Sequence, residues 1–122
     1  MSISYRLYHY PLDPLSRRVR LAFAEKGTAC EFLIEKPWDP SSELLAHNPS
    51  GEVPVLVVVE NNQTYILADA AAICEYLDET QAAASLLGKE PLARAEVRRL
   101  VGWFDRKFHW EVTVFLLGSF LF

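Results

Sequence analysis

The sequence predicts an α/β fold, a mixed four-stranded sheet with helices packed on it, followed by a segment of all-helical structure. Three observations carry that prediction. Strand-forming runs at Ser4–Tyr8 and Cys30–Ile34 flank a stretch of helical periodicity, and strand, helix, strand in that order makes a parallel pair. The run Pro54–Glu60 is joined to Thr64–Leu67 through Asn61-Asn62, residues that tolerate positive φ in a tight turn, so these two strands are antiparallel. Beyond Pro91, the residues Val97, Leu100, Val101, Phe104 and Phe108 recur at intervals of three and four, the spacing of an amphipathic helix.

The elements follow in order. Ser4–Tyr8 is rich in strand formers and stops before the corner Pro11-Leu12-Asp13-Pro14. From Pro14 to Lys26, Leu15, Val19, Ala22 and Phe23 form an inward stripe, with Arg17, Arg18, Arg20 and Lys26 largely off that face. Asp13 and Pro14 fit the N-cap and the first helical position, and Gly27 fits the stop. Glu35–Asp39, with Trp38 set among prolines, is a loop; Pro40-Ser41-Ser42-Glu43 opens a short helix lasting to His47. After the antiparallel pair, Asp69 caps a helix to about Thr80 in which Ile73, Tyr76 and Leu77 face inward and the alanines at 70, 71 and 72 pack closely. Gln81–Lys89 reads as a linker, and Pro91 starts the last helix.

Composition narrows the function classes. The 122 residues are 51% hydrophobic and 23% charged, enough to bury a core. A net charge of −4 offers no basic field for a phosphate backbone, so nucleic acid is not an expected partner. Cys30 and Cys74 form no CxxC, the three histidines His9, His47 and His109 have no metal-ligand spacing, and no charged-then-apolar leader precedes Tyr5. The expectation is a reduced, cytoplasmic protein without a disulfide or metal site. Val112–Phe122 is nearly all apolar, but its 11 residues fall short of the ~20 that span a bilayer, and we read it as a helix end meant for a larger core.

The stretch Asn48-Pro49-Ser50-Gly51-Glu52-Val53-Pro54-Val55-Leu56 leads through two prolines and a glycine into an apolar strand. Proline lacks a donor and belongs at a strand's first residue, and an X-Pro bond accepts the cis form at low cost, so Val53-Pro54 is expected to be cis with the Val53 backbone free to pair with an extended, peptide-like ligand. This stretch, Leu67-Ala68-Asp69-Ala70-Ala71-Ala72-Ile73-Cys74-Glu75-Tyr76-Leu77 and Leu7–Gly27 together resemble the glutathione-site half of a glutathione S-transferase N-terminal domain. The resemblance covers about the first 80 residues and implies a thioredoxin-like βαβαββα domain over 1–80. It further implies that 81–122 is the linker and first helix of a truncated all-helical domain.

What the resemblance implies about chemistry is a cytoplasmic protein that binds glutathione and conjugates its thiolate to a small electrophile, without a metal and as a homodimer. Val53 and Pro54 match the pair that grips the tripeptide backbone; Asp69 and Ala70 match the acid-serine pair that grips the γ-glutamyl group, with the hydroxyl lost at Ala70. A thiolate would be stabilised at the N-terminus of the Pro14 helix, where the family sets a serine or cysteine. Asp13 stands there, and an ionised carboxylate repels a thiolate. That leaves Ser16 and Tyr10 as catalytic candidates, with Tyr8 as a further tyrosine near the strand end; the plain alternatives are a surface serine and ordinary aromatic packing. Tyr-His-Tyr-Pro-Leu-Asp-Pro at 8–14, the Lys-Pro-Trp loop and residues 94–105 also resemble bacterial members of the fold, one of which binds the cell-division filament protein FtsZ without glutathione chemistry. The alternative is therefore a non-catalytic, FtsZ-interacting type of binding protein with Trp38 in its protein-contact surface. Trp103, Phe104, Phe108, Val112, Phe115, Leu116, Leu117, Phe120 and Leu121 need apolar partners, and the chain is expected to self-associate through them.

Overall fold

The computed structural model describes residues 2–121, and the side-chain surroundings of residues 2–117. Its contacts divide the chain into two units, Met1–Ala84 and Ser85–Phe122. The first contains β1 (Ile3–His9), α1 (Pro14–Lys26), β2 (Glu31–Ile34), α2 (Ser42–His47), β3 (Val55–Glu60), β4 (Gln63–Ala68) and α3 (Ala70–Thr80). The sheet order is β2-β1-β3-β4, parallel between β1 and β2 and antiparallel elsewhere, the predicted mixed sheet. β1 and β4 each run one residue further at both ends than their composition suggested, because ladder partners such as Ile3↔Glu60 and Val55↔Ala68 extend the pairing.

Alternation of side chains sorts the core onto two faces. Tyr8, Val55 and Val57 form one buried cluster with Leu44 of α2. On the other face Tyr5 and Leu7 lie under α1 and α3, where Val19, Phe23, Ile73 and Leu77 are buried and the Tyr5 ring meets Phe23 edge-on at 5.6 Å. Of the three alanines expected to pack closely, Ala70 is buried and Ala72 is exposed, since the helix turns the latter to solvent. α1 ends as predicted at Gly27, whose φ of 64° suits the left-handed cap, with Thr28 N–H returning to the Phe23 carbonyl at 3.1 Å.

Lys26 corrects the expected pattern. Rather than lying off the buried face, its ammonium is fully enclosed and donates to Asp78 Oδ1 at 2.8 Å, Gln81 O at 2.6 Å and Ala83 O at 2.9 Å. The cause is tertiary: position 26 falls on the same helical stripe as Val19, Ala22 and Phe23, and there it meets Asp78 of α3, the carbonyl of that helix's cap residue Gln81 and the carbonyl of Ala83 just beyond, where the negative end of the helix dipole favours a cation.

The second unit consists of α4 (Pro91–Trp103), a π-helical segment (Phe104–Thr113) and α5 (Val114–Leu121). The single amphipathic helix expected after Pro91 is thus interrupted by a wider turn pattern, in which Val114 N–H reaches back five residues to His109 O. Trp103, Phe104 and Phe108 cluster with ring centroids 4.9–5.8 Å apart, and Trp103, Phe104, Phe115 and Leu116 are exposed. Phe120 and Leu121, named for self-association, fall outside the described side chains. No helix among the described residues is long and apolar enough to cross a membrane.

Candidate functional site

Four connections meet at one end of the sheet. In the register His9 pairs with Ile34, Tyr8 with Val55, and Val55 with Ala68. The chain therefore leaves β1, β2 and β4, and starts β3, at that same end. Tyr10–Asp13, the Trp38 loop, Val53-Pro54 and Asp69-Ala70 are gathered there by topology alone, at the carboxyl ends of the parallel strands where open α/β sheets bind ligands.

Each connection is pinned by hydrogen bonds. At the start of α1 the Asp13 carboxylate accepts from Leu15 N at 3.3 Å, Ser16 N at 3.0 Å and the Ser16 hydroxyl at 2.8 Å. Ser16 Oγ in turn accepts from Tyr10 N at 3.2 Å, and the side chain is wholly buried. The helix N-terminus is thus already capped by an internal carboxylate, and the Ser16 hydroxyl is donating to it. The Tyr10 ring stands edge-on to Trp38 at 5.7 Å, and its hydroxyl has no hydrogen-bond partner among the described residues. Tyr8 is placed elsewhere: it is buried over α2, its hydroxyl donates to Glu43, and burial followed by that carboxylate pushes its pKa up to about 12.

Two supports were invisible in the sequence. Arg20 donates to His9 Nδ1 at 2.9 Å and to Pro11 O at 3.1 Å, so it braces the β1–α1 corner from one turn into the helix. An arginine donates only, which makes Nδ1 the acceptor and places the imidazole proton on Nε2. Glu35 is buried and accepts from Ser41 N at 2.9 Å and Ser41 Oγ at 2.7 Å, while Ser41 caps α2 through Leu44 N. With Asp39 N bonded to Lys36 O at 2.9 Å, the loop is cinched at its base and holds Trp38, 47% exposed, out toward solvent beside Tyr10.

The Val53-Pro54 bond is cis, as expected. The β3 ladder begins at Val55, so Val53 lies outside it. The preceding turn is held by Gly51 N to Asn48 O at 2.9 Å and Asn48 Nδ2 to Glu52 O at 3.0 Å. Gly51 has φ 73° with Pro40 and Leu45 atoms 3.2–3.3 Å from where a Cβ would sit, which accounts for glycine there. Across the register, Asp69 adopts φ 87° and ψ 123°, an expensive conformation for a non-glycine residue, and caps α3 through Ala72 N at 3.1 Å. Ala70 is buried behind it. No group of three or more His, Cys, Asp or Glu that could hold a metal occurs among the described residues.

With this geometry in hand, comparison with known proteins defines the class. A family model for the glutathione S-transferase N-terminal domain matches residues 14–80, more than half the chain, and the chain belongs to that family. The chain is 44% identical over 117 residues to FtsZ-localized protein A of Caulobacter vibrioides, an alignment covering 96% of this chain and 51% of that protein. Among solved structures it is similar to a glutathione S-transferase from Rhodospirillum rubrum F11, with TM-score 0.83 and 51% identity over 93% of this chain and 50% of that one. It is also similar to a maleylacetoacetate isomerase from Anaeromyxobacter dehalogenans 2CP-1 that has glutathione in its active site, with TM-score 0.72 and 37% identity over 81% of this chain and 47% of that one. The chain spans about half the length of the curated relatives it matches.

Proposed function

We propose that this chain forms the thioredoxin-like part of a binding protein that kept the transferase fold and gave up thiol activation. The observation that carries the reading is the Asp13 carboxylate, which occupies the N-terminus of α1 and consumes the Ser16 hydroxyl. A thiolate brought there would meet an anion where the mechanism needs donors. Glutathione is held weakly, by the Val53 backbone beside Pro54 and by the first N–H groups of α3 behind Asp69 and Ala70. The loss of one neutral hydrogen bond at Ala70 lowers its affinity by about 0.5–1.5 kcal/mol. The protein contact is the Trp38 surface with Tyr10 against it, and the name of the Caulobacter relative suggests FtsZ as the partner. Residues 85–122 begin the helical domain of such a protein, which acts as a homodimer in the cytoplasm.

Two assays test this on the natural polypeptide. Conjugation of a chromogenic electrophile should be negligible in wild type and rise by about tenfold or more in Asp13→Ser, which keeps a capping oxygen while removing the charge and freeing Ser16. Purified FtsZ filaments should co-sediment wild type and leave Trp38→Ala in the supernatant. Efficient conjugation by wild type, or equal sedimentation of the two forms, would overturn the reading. The enzymatic alternative has one observation in its favour, the uncommitted Tyr10 hydroxyl, and in that case Tyr10→Phe rather than Ser16→Ala abolishes turnover.

A further inference from the structure

The imidazole of His9 is buried at the last residue of β1, one step before the corner that carries Tyr10, Pro11, Leu12 and Asp13. Its Nδ1 accepts from Arg20 Nη1 at 2.9 Å, while Nη2 of the same guanidinium donates to Pro11 O at 3.1 Å. One planar fork thus ties the end of a strand to the turn that follows it. The corner is also held at its two ends, by Asp13 N–H to Tyr10 O at 3.0 Å and by Tyr10 N–H to Ser16 Oγ at 3.2 Å. Pro11 and Leu12 between those ends are exposed, and Arg20 fastens that stretch to the body of the domain. Tyr10, the first residue of the corner, is the one that stands against Trp38.

The arrangement depends on a neutral ring. Arginine only donates, and a protonated imidazole donates from both nitrogens, so proton uptake turns the 2.9 Å contact into two like-charged donors face to face. The neighbours give the cation no relief. From β2, Phe32 and Ile34 share the face of His9 and are apolar, whereas Glu31 and Leu33 point to the opposite face. From α1, the buried Ser16, Val19 and Phe23 carry no charge, and Arg20 is the charge the ring feels. β3 opens at Val55 with an apolar run. At the loop end Glu35 gives its backbone N–H to His9 O at 2.8 Å but its carboxylate accepts from Ser41. The Asp13 carboxylate is taken up by Leu15 and Ser16, and Asp69 stands two strands across as the cap of α3.

We propose that His9 and Arg20 form a proton-operated latch on the loop end of the sheet. With the ring neutral, the guanidinium holds the Tyr10–Asp13 corner and seats Tyr10 beside Trp38; with the ring protonated at Nδ1, the guanidinium leaves and the corner opens. The sheet itself stays paired, because His9 O keeps the Glu35 N–H and that bond does not involve the ring. Histidine suits this role because its charge changes within the range a cell traverses, and burial here sets the change on the acid side of 6.5, so the latch is closed at neutral pH. The device regulates the Trp38 surface, and its link to partner binding rests on the function proposed above.

The test follows the isotopically labelled chain by NMR from pH 7.5 to 5. The His9 ring should titrate below 6.5, and the amides of Tyr10, Leu12 and Asp13 and the Trp38 indole N–H should shift with the same midpoint, while the amides of Val57 and Val58 in β3 stay in place. His9→Gln should remove the shifts at that midpoint. Arg20→Met should raise the midpoint of the ring, since the repelling charge and the donor are both gone, and should bring the corner resonances at pH 7.5 close to where wild type has them at pH 5. Corner amides that ignore the ring's titration, or that move with the same midpoint in His9→Gln, overturn the proposal. β3 amides moving together with them would show general unfolding and overturn it equally. Co-sedimentation with FtsZ filaments at pH 7.5 then separates the latch from the function: a loss of about tenfold in Arg20→Met supports both. Corner shifts with undiminished co-sedimentation support the latch and count against the Trp38 contact.

Discussion

At His9 a single ring records what burial does to a charge. The imidazole is buried, edge-on to Phe32 at 5.5 Å, and its pKa lies below the ordinary 6.5, because burial disfavours the cation and the Arg20 guanidinium repels it. The unfolded chain takes up a proton near pH 6.5 that the native chain refuses until lower pH. This contribution to stability is therefore complete above that value and declines as pH falls below it. The urea midpoint should fall between pH 7.5 and 5, and His9→Gln should flatten part of that slope; an unchanged slope would remove His9 from the account. Cys30 is half-buried, its thiol pushed up to about 12 by burial first, so alkylation of the native chain at pH 7 should label it more slowly than the unfolded chain. At this scale the sequence was only partly legible. Asp13 as a cap and Ser16 as a hydroxyl one turn on could both be read, but that each satisfies the other depends on a Tyr10 backbone N–H brought round by the corner.

The helices were legible at their ends for stereochemical reasons, since Asp13, Pro14 and Gly27 carry the start and stop of α1 in their own backbone preferences. Lys26 was not. A helical repeat puts position 26 on the buried stripe, one turn after Ala22 and Phe23, but its charge argues for solvent and its partner Asp78 lies 52 residues away. Lys26→Met keeps the aliphatic stem and removes the cation from a carboxylate that is itself 6% exposed, so it should destabilise the first unit by about 3–5 kcal/mol in urea unfolding. A loss below about 1 kcal/mol would mean that the ammonium is no better than a surface ion pair. The exposed Arg99–Glu96 pair supplies the control, and its removal should cost almost nothing.

For the whole molecule, periodicity and turn chemistry sufficed to predict the mixed sheet, because its pattern repeats over many residues and tolerates local error. The interruption after Trp103 escaped that reading: an apolar spacing of three and four is shared by α-helix and by the approach to a π-helical turn, and Phe104–Thr113 has no proline or glycine to mark the change. One expectation stays open to a direct measurement. Trp103, Phe104, Phe115 and Leu116 are 42–73% exposed, and covering even a few such side chains favours association by roughly 1.5–3 kcal/mol each before its entropic cost. The 122-residue chain should therefore scatter light as a dimer or larger species at tens of micromolar, and Phe104→Ser with Phe115→Ser should shift it toward monomer. A monodisperse wild-type monomer would refute this.

Helix termini are where a folded chain ordinarily frays first, and amides there trade their hydrogens with solvent through openings that cost little. Lys26 changes that order of events. By tying the last turn of α1 to Asp78 and to the carbonyls at 81 and 83, it makes two helix ends open together or not at all. The amide of Gln81, bonded to Leu77 O at 2.8 Å, should then exchange on the timescale of the sheet rather than of an end, so that the slowest-opening part of this unit extends past its last helix.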